Sequence, residues 1–219
     1  MNKIERRKCM NYSELLLKRY SVRKFKDQDV PAQDLEKMIE AAGNAPSGKN
    51  SQNWHFVVIK NKDIISKMVE EVERSSSDIA SGLSEEKAEK FIKFSRFATV
   101  FKNAPVVIAV YAGEYPPAGY KELLETKAFP EKLQRIVKAN PGIQNIGAAI
   151  ENLLLAACDM GYGGCWMTSP NHAGAEMEQI IGFEKEGYML VALLPIGVPD
   201  GERKSPAKKI VEEIMTVIE

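Results

Sequence analysis

The residues best suited to chemistry lie in separated stretches of the 219-residue chain: Arg19, Ser21 and Arg23 early, Ser47 and Asn50 in the middle, Thr168 and Ser169 late, and Arg203, Lys204, Lys208 and Lys209 near the end. Fixed cations interleaved with hydroxyl and amide donors are what a phosphate needs. Positive charge beside a bound ring cofactor also stabilises its reduced, anionic form. Taken singly, each charged run is equally what a solvated face looks like. His55 and His172, the only histidines, have no cysteine or acidic cluster nearby at ligand spacing, and Cys9, Cys158 and Cys165 are odd in number and unpaired in spacing. That pattern supports neither a metal site nor a disulfide framework.

Two stretches imitate nucleotide sites. Gly43-Asn44-Ala45-Pro46-Ser47-Gly48-Lys49-Asn50 has P-loop spacing, except that Asn50 stands where a hydroxyl would ligate magnesium. A P-loop leaves a strand and opens a helix, so that the helix N-terminus meets the phosphates. Here residues 30–42 before the loop have helical spacing, and 54–60 after it are aromatic and β-branched. The order is reversed, which leaves a helix C-cap at Gly43 and a turn set by Pro46 and Gly48. A nucleotide-binding protein or regulator is therefore the reading from another functional class that element order opposes. Gly161-Tyr162-Gly163-Gly164 imitates a dinucleotide fingerprint and fails in the same way, following a helix and preceding a strand.

The elements that must position these residues follow from periodicity. Ser13 can cap a short helix. A second helix starts near Asp29 with Pro31 in its first turn, and Leu35, Met38, Ile39 and Ala42 recur on one face. A strand over 54–60 is followed by a helix after Asp63, then by residues 75–82, polar and expected to be mobile. A helix from Ser84 carries an aromatic stripe of Phe91, Ile92, Phe94, Phe97 and Phe101, expected to be mostly core, and 106–111 is a continuous apolar strand. Residues 120–138 form a charged amphipathic segment, either a lid or a plain surface helix. The helix over 143–160 is apolar almost all round, so it is either the central core helix or the seam of a homodimer. A short strand at Cys165-Trp166-Met167, a helix over 173–181, a long apolar strand over 188–197 and a short helix or extended arm over 208–215 complete the chain. About four strands alternating with helices predict an α+β or α/β layer fold with one sheet.

Composition narrows the partners. Thirty basic and thirty acidic residues cancel, so nucleic acid is not the expected partner, and a small molecule or protein is. Residues 1–10 are charged, with no apolar run to act as a secretory signal or membrane span, and cytoplasm is the expected location.

Arg19-Tyr20-Ser21-Val22-Arg23-Lys24-Phe25, Ala45-Pro46-Ser47-Gly48-Lys49-Asn50-Ser51-Gln52-Asn53-Trp54-His55-Phe56, Gly161-Tyr162-Gly163-Gly164-Cys165-Trp166 and Leu194-Pro195-Ile196-Gly197 occur in order and spacing. Together they resemble the FMN-dependent nitroreductase family. The resemblance implies one α+β domain over 1–219, a three-layer fold with a mixed, mainly antiparallel sheet flanked by helices, and an intertwined homodimer. It implies two FMN molecules at the dimer interface, residues 112–142 as a lid or insert, and 208–219 as an arm reaching onto the partner. Carried over by position, Arg19 and Lys208 meet the FMN phosphate, with Lys208 standing where many relatives have arginine. Tyr20 and Ser21 lie alongside, Ser21 donates a hydrogen bond, and Arg23 sits near N1 and O2. Pro46, Ser47, Gly48 and Asn50 line the ribityl chain and ring edge from the partner, and the Thr168-Ser169-Pro170 loop sits near N5. The implied activity is ping-pong reduction of a nitroaromatic, quinone or similar flat acceptor by NAD(P)H. In dehalogenating relatives a hydroxyl at the N5 loop favours one-electron steps, so Thr168 and Ser169 keep a reductive dehalogenase as the alternative. Either residue could instead simply cap the following turn.

Overall fold

The fold is built on β2, Val106–Gly113, whose eight residues are all buried. A strand apolar on both faces must be covered on both, and it sits in the middle of an antiparallel sheet ordered β1-β2-β4-β3, with β1 at Trp54–Ile59, β3 at Gly163–Gly164 and β4 at Tyr188–Gly197. The register sets Val107 opposite Pro195 and Val58 opposite Ile108, with a bulge between Val110 and Tyr111 on the β4 side. Ser21 adds a parallel bridge to Gly164, which makes the sheet mixed. The structure is a computed structural model that describes residues 11–201 and 205–219. Cys9 and the cations Arg203 and Lys204 lie outside the described residues.

Alternation along β2 divides the interior in two. Val106, Ile108 and Val110 face one layer, made by α2 (Ala32–Gly43) and α7 (Pro141–Asp159), through Leu35, Met38, Ile146, Ile150 and Leu153. Val107, Ala109 and Tyr111 face the other, made by α3 (Lys62–Ser81), the 3-10 segment Arg96–Asn103 and α8 (Gly174–Ile181), through Ile65, Met68, Phe101 and Met177. Helix α7 is therefore a core helix on one face. Its other face carries half-buried Gly147, Ala148 and Leu155 and exposed Ile143. It starts where the pattern requires, because the Asn140 carboxamide accepts from the Ile143 N–H and Pro141 occupies the first turn, where a missing N–H costs nothing.

Several expectations are corrected. Residues 75–81 are not a mobile stretch but the last two turns of α3, because Ser76 is 2% exposed with its hydroxyl on Val72 O at 2.8 Å, and Ser75 donates to His172 O. Serines that bond back into the structure lose the polar character that suggests a loop. Of the aromatic stripe only Phe101 is fully buried; the helix α4, Glu85–Ser95, gives way to 3-10 geometry at Arg96, and Phe94 and Phe97 are left 65% and 57% exposed. Residues 120–138 are two helices, α5 (Tyr120–Thr126) and α6 (Pro130–Ala139), broken by left-handed Lys127. The first helix, α1, runs over Tyr12–Lys18 and is capped by Asn11, not Ser13. Gly43 ends α2 as a helical residue, with Asn44 as cap through a bond to Glu40 O at 2.8 Å. The strand expected at 165–167 is shifted back to Gly163–Gly164, leaving Met167 bridged to Leu193. Residues 205–219 have no regular secondary structure except a 3-10 turn at Val211–Glu213.

Candidate functional site

After α1 the chain runs extended along the sheet edge. The Val22 N–H donates to Gly164 O at 2.9 Å, the Lys26 N–H to Val198 O at 2.9 Å, and the Asp200 N–H to Lys24 O at 3.0 Å. In extended backbone, residues two apart share a face, so Arg19, Ser21 and Arg23 point the same way. All three bear on buried Cys165: burial pushes its thiol above the usual range, against the pull of Arg23, a Ser21 hydrogen bond and Arg19. Val22 points oppositely and is 4% exposed, packed on Gly163. A Cβ on Gly163 would also meet Pro199 Cγ at 3.0 Å, and one on Gly164 would meet Ile196 Cδ1 at 2.7 Å and Leu154 Cδ2 at 2.8 Å. The glycine pair is thus a packing requirement that brings the cationic segment hard against the sheet.

Arg19 is oriented by α7, its Nε 3.3 Å from Glu151 Oε1. Beside it opens a cleft of about 1020 Å³, lined by Arg19, Tyr20, Lys26 and Lys208 over a floor that includes Leu154 and Gly163. Arg19, Tyr20 and Lys208, from opposite ends of the chain, therefore share one cleft. Ser21 and Arg23 adjoin it through Arg19 on the Cys165 side. Arg19, Lys26, Lys208 and the adjoining Arg23, with the Ser21 hydroxyl and Tyr20, match the donor set a phosphate-bearing cofactor requires.

The central loop is elsewhere. Pro46, Ser47, Gly48 and Asn50 do not line this cleft. The Gly48 N–H donates to Asn145 Oδ1 at 3.1 Å near the start of α7, whereas Cys158, near its end, lines the cleft. Thirteen residues of helix at ~1.5 Å each separate them by roughly 20 Å. Lys49, Asn50 and Gln52 all have left-handed backbone, with φ of 55°, 52° and 45°, a conformation that costs a non-glycine residue about 1 kcal/mol or more unless its surroundings hold it. They are held: Ser47 Oγ accepts from the Gln52 N–H at 3.0 Å, and the Asn145 carboxamide bridges Gly48 to Asn53. Asn53 and Asn145 are the residues sequence reading missed, although Asn145, an amide flanking Ile146 on the apolar face of α7, was a signal.

The Thr168-Ser169-Pro170 loop follows Met167 out of the sheet. Thr168 and Ser169 are exposed, Pro170 is buried, and the Thr168 side chain makes no capping bond to the 3-10 turn Ser169–Ala173. The plain capping role for Thr168 is therefore not observed. His172 holds the loop from behind, with Nδ1 2.9 Å from Ser169 O and Nε2 3.0 Å from Ser76 Oγ. Among the described residues no cluster could hold a metal ion, and no helix is long and apolar enough to cross a membrane.

The cationic segment, the glycine pair and the closing Leu194–Gly197 strand all fall inside one family match, in which the model of the Nitroreductase family covers residues 16–198. The chain belongs to the nitroreductase family. It is 46% identical to a BluB-like flavoprotein from Clostridium difficile 630, over 96% of this chain and 100% of that one, with a TM-score of 0.91. Mouse iodotyrosine deiodinase 1 is 27% identical over 97% of this chain and 71% of its own length. A structure of oxidized iodotyrosine deiodinase bound to FMN and 3-iodo-L-tyrosine is 25% identical, with a TM-score of 0.66 over 91% of this chain and 96% of that one. The nitroreductase fold thus accounts for the mixed sheet and its flanking helices.

Proposed function

We propose that this nitroreductase is an FMN-dependent oxidoreductase that takes reducing equivalents from NAD(P)H and delivers them, in a second half-reaction, to a flat acceptor such as a nitroaromatic or a quinone. The observation that carries the reading is the convergence of Arg19, Tyr20, Lys208, Ser21 and Arg23 about one sheet edge. FMN supplies the redox chemistry when bound. Arg19 and Lys208 hold its phosphate, Ser21 donates a hydrogen bond, and Arg23 places positive charge at the pyrimidine edge. The Thr168-Ser169-Pro170 loop presents donors to the ring's reacting edge. No side-chain acid or base is required, in keeping with the lack of any histidine–carboxylate or cysteine–histidine pair among the described contacts.

The site is completed by a second copy of the chain. In support, the 46–50 loop is anchored near the start of α7 while the Arg19 cleft lies near its end, roughly 20 Å of helix away, and the ring-facing residues Ser21, Arg23, Thr168 and Ser169 are exposed. Apolar Leu17, Ile214, Val217 and Ile218 are 81%, 69%, 68% and 92% exposed, as expected of an arm and a seam meant for a partner. In this homodimer Pro46, Ser47, Gly48 and Asn50 form the rim of the partner's cofactor site, and the insert 112–142 is the lid, with Tyr120 and Phe129 available to stack on the acceptor.

A visible spectrum tests the reading. The purified protein is expected to be yellow, to release about one FMN per chain on denaturation, and to bleach anaerobically with NADH or NADPH. A colourless protein that takes up no FMN overturns it. A second reading, reductive dehalogenation, is favoured by the uncapping Thr168 hydroxyl together with the similarity to iodotyrosine deiodinases. It predicts halide release from a halogenated tyrosine or phenol under reducing conditions, and no release with Thr168→Ala.

A further inference from the structure

The insert leaves the sheet after Gly113 and rejoins the core at Gly142, and one buried side chain touches both ends. Asn53 is 4% exposed, and its Nδ2 donates to Gly113 O at 3.1 Å and to Gly142 O at 3.3 Å. The Gly113 N–H returns a bond to Asn53 O at 2.7 Å. Its Oδ1 accepts from Asn145 Nδ2 at 2.9 Å, and Asn145 Oδ1 takes the Gly48 N–H. The orientation of both amides is fixed by this chain, since two carbonyls facing Asn53 demand its NH2 group and an N–H facing Asn145 demands its oxygen. Tyr115, two residues past Gly113, packs on both Gly48 and Gly142, so that a Cβ at either glycine would run into it. One satisfied polar network thus joins the two feet of the insert to the left-handed loop 47–52. Buried networks of this kind act as a unit, because an unpaired member costs more than a made bond gains.

We propose that Asn53 is a positioning residue that couples the insert to the 47–52 loop through Asn145, so that the arrangement of the lid on one protomer is set together with the cofactor rim it contributes to its partner. The inference rests on the reading of 112–142 as a lid and of Pro46, Ser47, Gly48 and Asn50 as a flavin rim. Asn53 touches neither cofactor nor acceptor. It acts by holding two carbonyls and one amide in register, which no aliphatic side chain of similar size can do. Aspartate at this position keeps the shape but turns an oxygen toward two carbonyl oxygens.

The test is amide hydrogen exchange on the FMN-loaded protein, comparing the parent with Asn145→Ala and Asn53→Asp, alongside steady-state kinetics. Among the described residues Asn145 makes no hydrogen bond to the insert, so its loss reaches residues 114–126 through the shared network of Asn53, Gly48 and Tyr115. Both variants are expected to speed exchange about tenfold, the equivalent of one buried hydrogen bond, in 47–52 and in 114–126 together, with α3 and α8 unchanged. Acceptor KM rises by a similar factor, about tenfold, while kcat stays within about twofold. Faster exchange confined to 47–52 in Asn145→Ala, or spread uniformly through α3 and α8, overturns the proposal. If the protein takes up no FMN, the functional reading fails by itself, and coupled exchange can still be read on the protein as purified.

Discussion

Alanine at Gly163 should separate the cationic segment from the sheet. The Cβ would overlap a Val22 methyl and lie 2.9 Å from Val22 Cβ and 3.0 Å from Pro199 Cγ. Neither neighbour can swing aside: valine is stiff about its only side-chain torsion, and the proline ring is fixed. Where a glycine site fits alanine, the substitution stabilises by about 0.4–1 kcal/mol through the unfolded chain; here overpacking of about 1–3 kcal/mol is larger, so the net sign is destabilising. Val22 must retreat, stretching its N–H···O bond to Gly164 from 2.9 Å, and it carries Arg19, Ser21 and Arg23 with it. Weakening one charge-assisted bond to the phosphate corresponds to roughly a tenfold rise in FMN Kd. Urea midpoints and fluorescence titration with FMN measure both effects. The decisive arm is a double-mutant cycle with Val22→Ala, which removes the overlapping methyl and leaves the contacts to the residue-22 Cβ and to Pro199 Cγ: in that background Gly163→Ala should cost less than in the parent, and the two changes should couple. A Gly163→Ala protein as stable as the parent with undiminished FMN affinity would refute the packing argument.

Truncation after Ala207 removes Lys208 and the exposed apolar residues Ile210, Val211, Ile214, Met215, Val217 and Ile218; light scattering should find a weakened dimer, and dialysis should strip FMN from it. Replacing Ser47 and Asn50 together with alanine should weaken FMN retention while leaving the dimer intact, since both side chains face the proposed rim; the readout is bound flavin at equal dimer content. Burial first, and Glu178 second, pushes the Tyr111 phenol up from 10.0 to about 12. The folded state therefore keeps a proton that the unfolded chain sheds above its ordinary value, so this contribution is fully present below pH ~10 and declines as pH rises toward 12. Tyr111→Phe should show a flatter stability curve between pH ~10 and ~12. Because the Tyr111 hydroxyl has no hydrogen-bond partner among the described residues, the substitution should cost within ~0.5 kcal/mol at neutral pH.

Local chemistry was enough to determine much of this protein. The continuous apolar runs from Tyr188 to Gly197 and after Pro105 became β4 and β2 because strands of that composition have nowhere to go but a covered sheet. The spacing of Arg19, Ser21 and Arg23 put them on one face for the same local reason, and the order of helix, loop and strand around Gly43 to Asn50 sufficed to reject a P-loop. Tertiary structure alone decided where those faces point. Whether Ser75 to Ser81 would be loop or helix depended on His172, almost a hundred residues away, whose carbonyl accepts from Ser75 and whose Nε2 lies 3.0 Å from Ser76 Oγ. Whether Phe94 and Phe97 would be core depended on where α4 gave way to 3-10 geometry. The requirement for glycine at 163 came from Val22 and Pro199, and the hold on the left-handed loop came from Asn53 and Asn145, contacts that exist only once the sheet and α7 are assembled. Periodicity reports the face a residue presents to its own element; the partner across that face is set by packing between segments distant in sequence, and that is where the site is made.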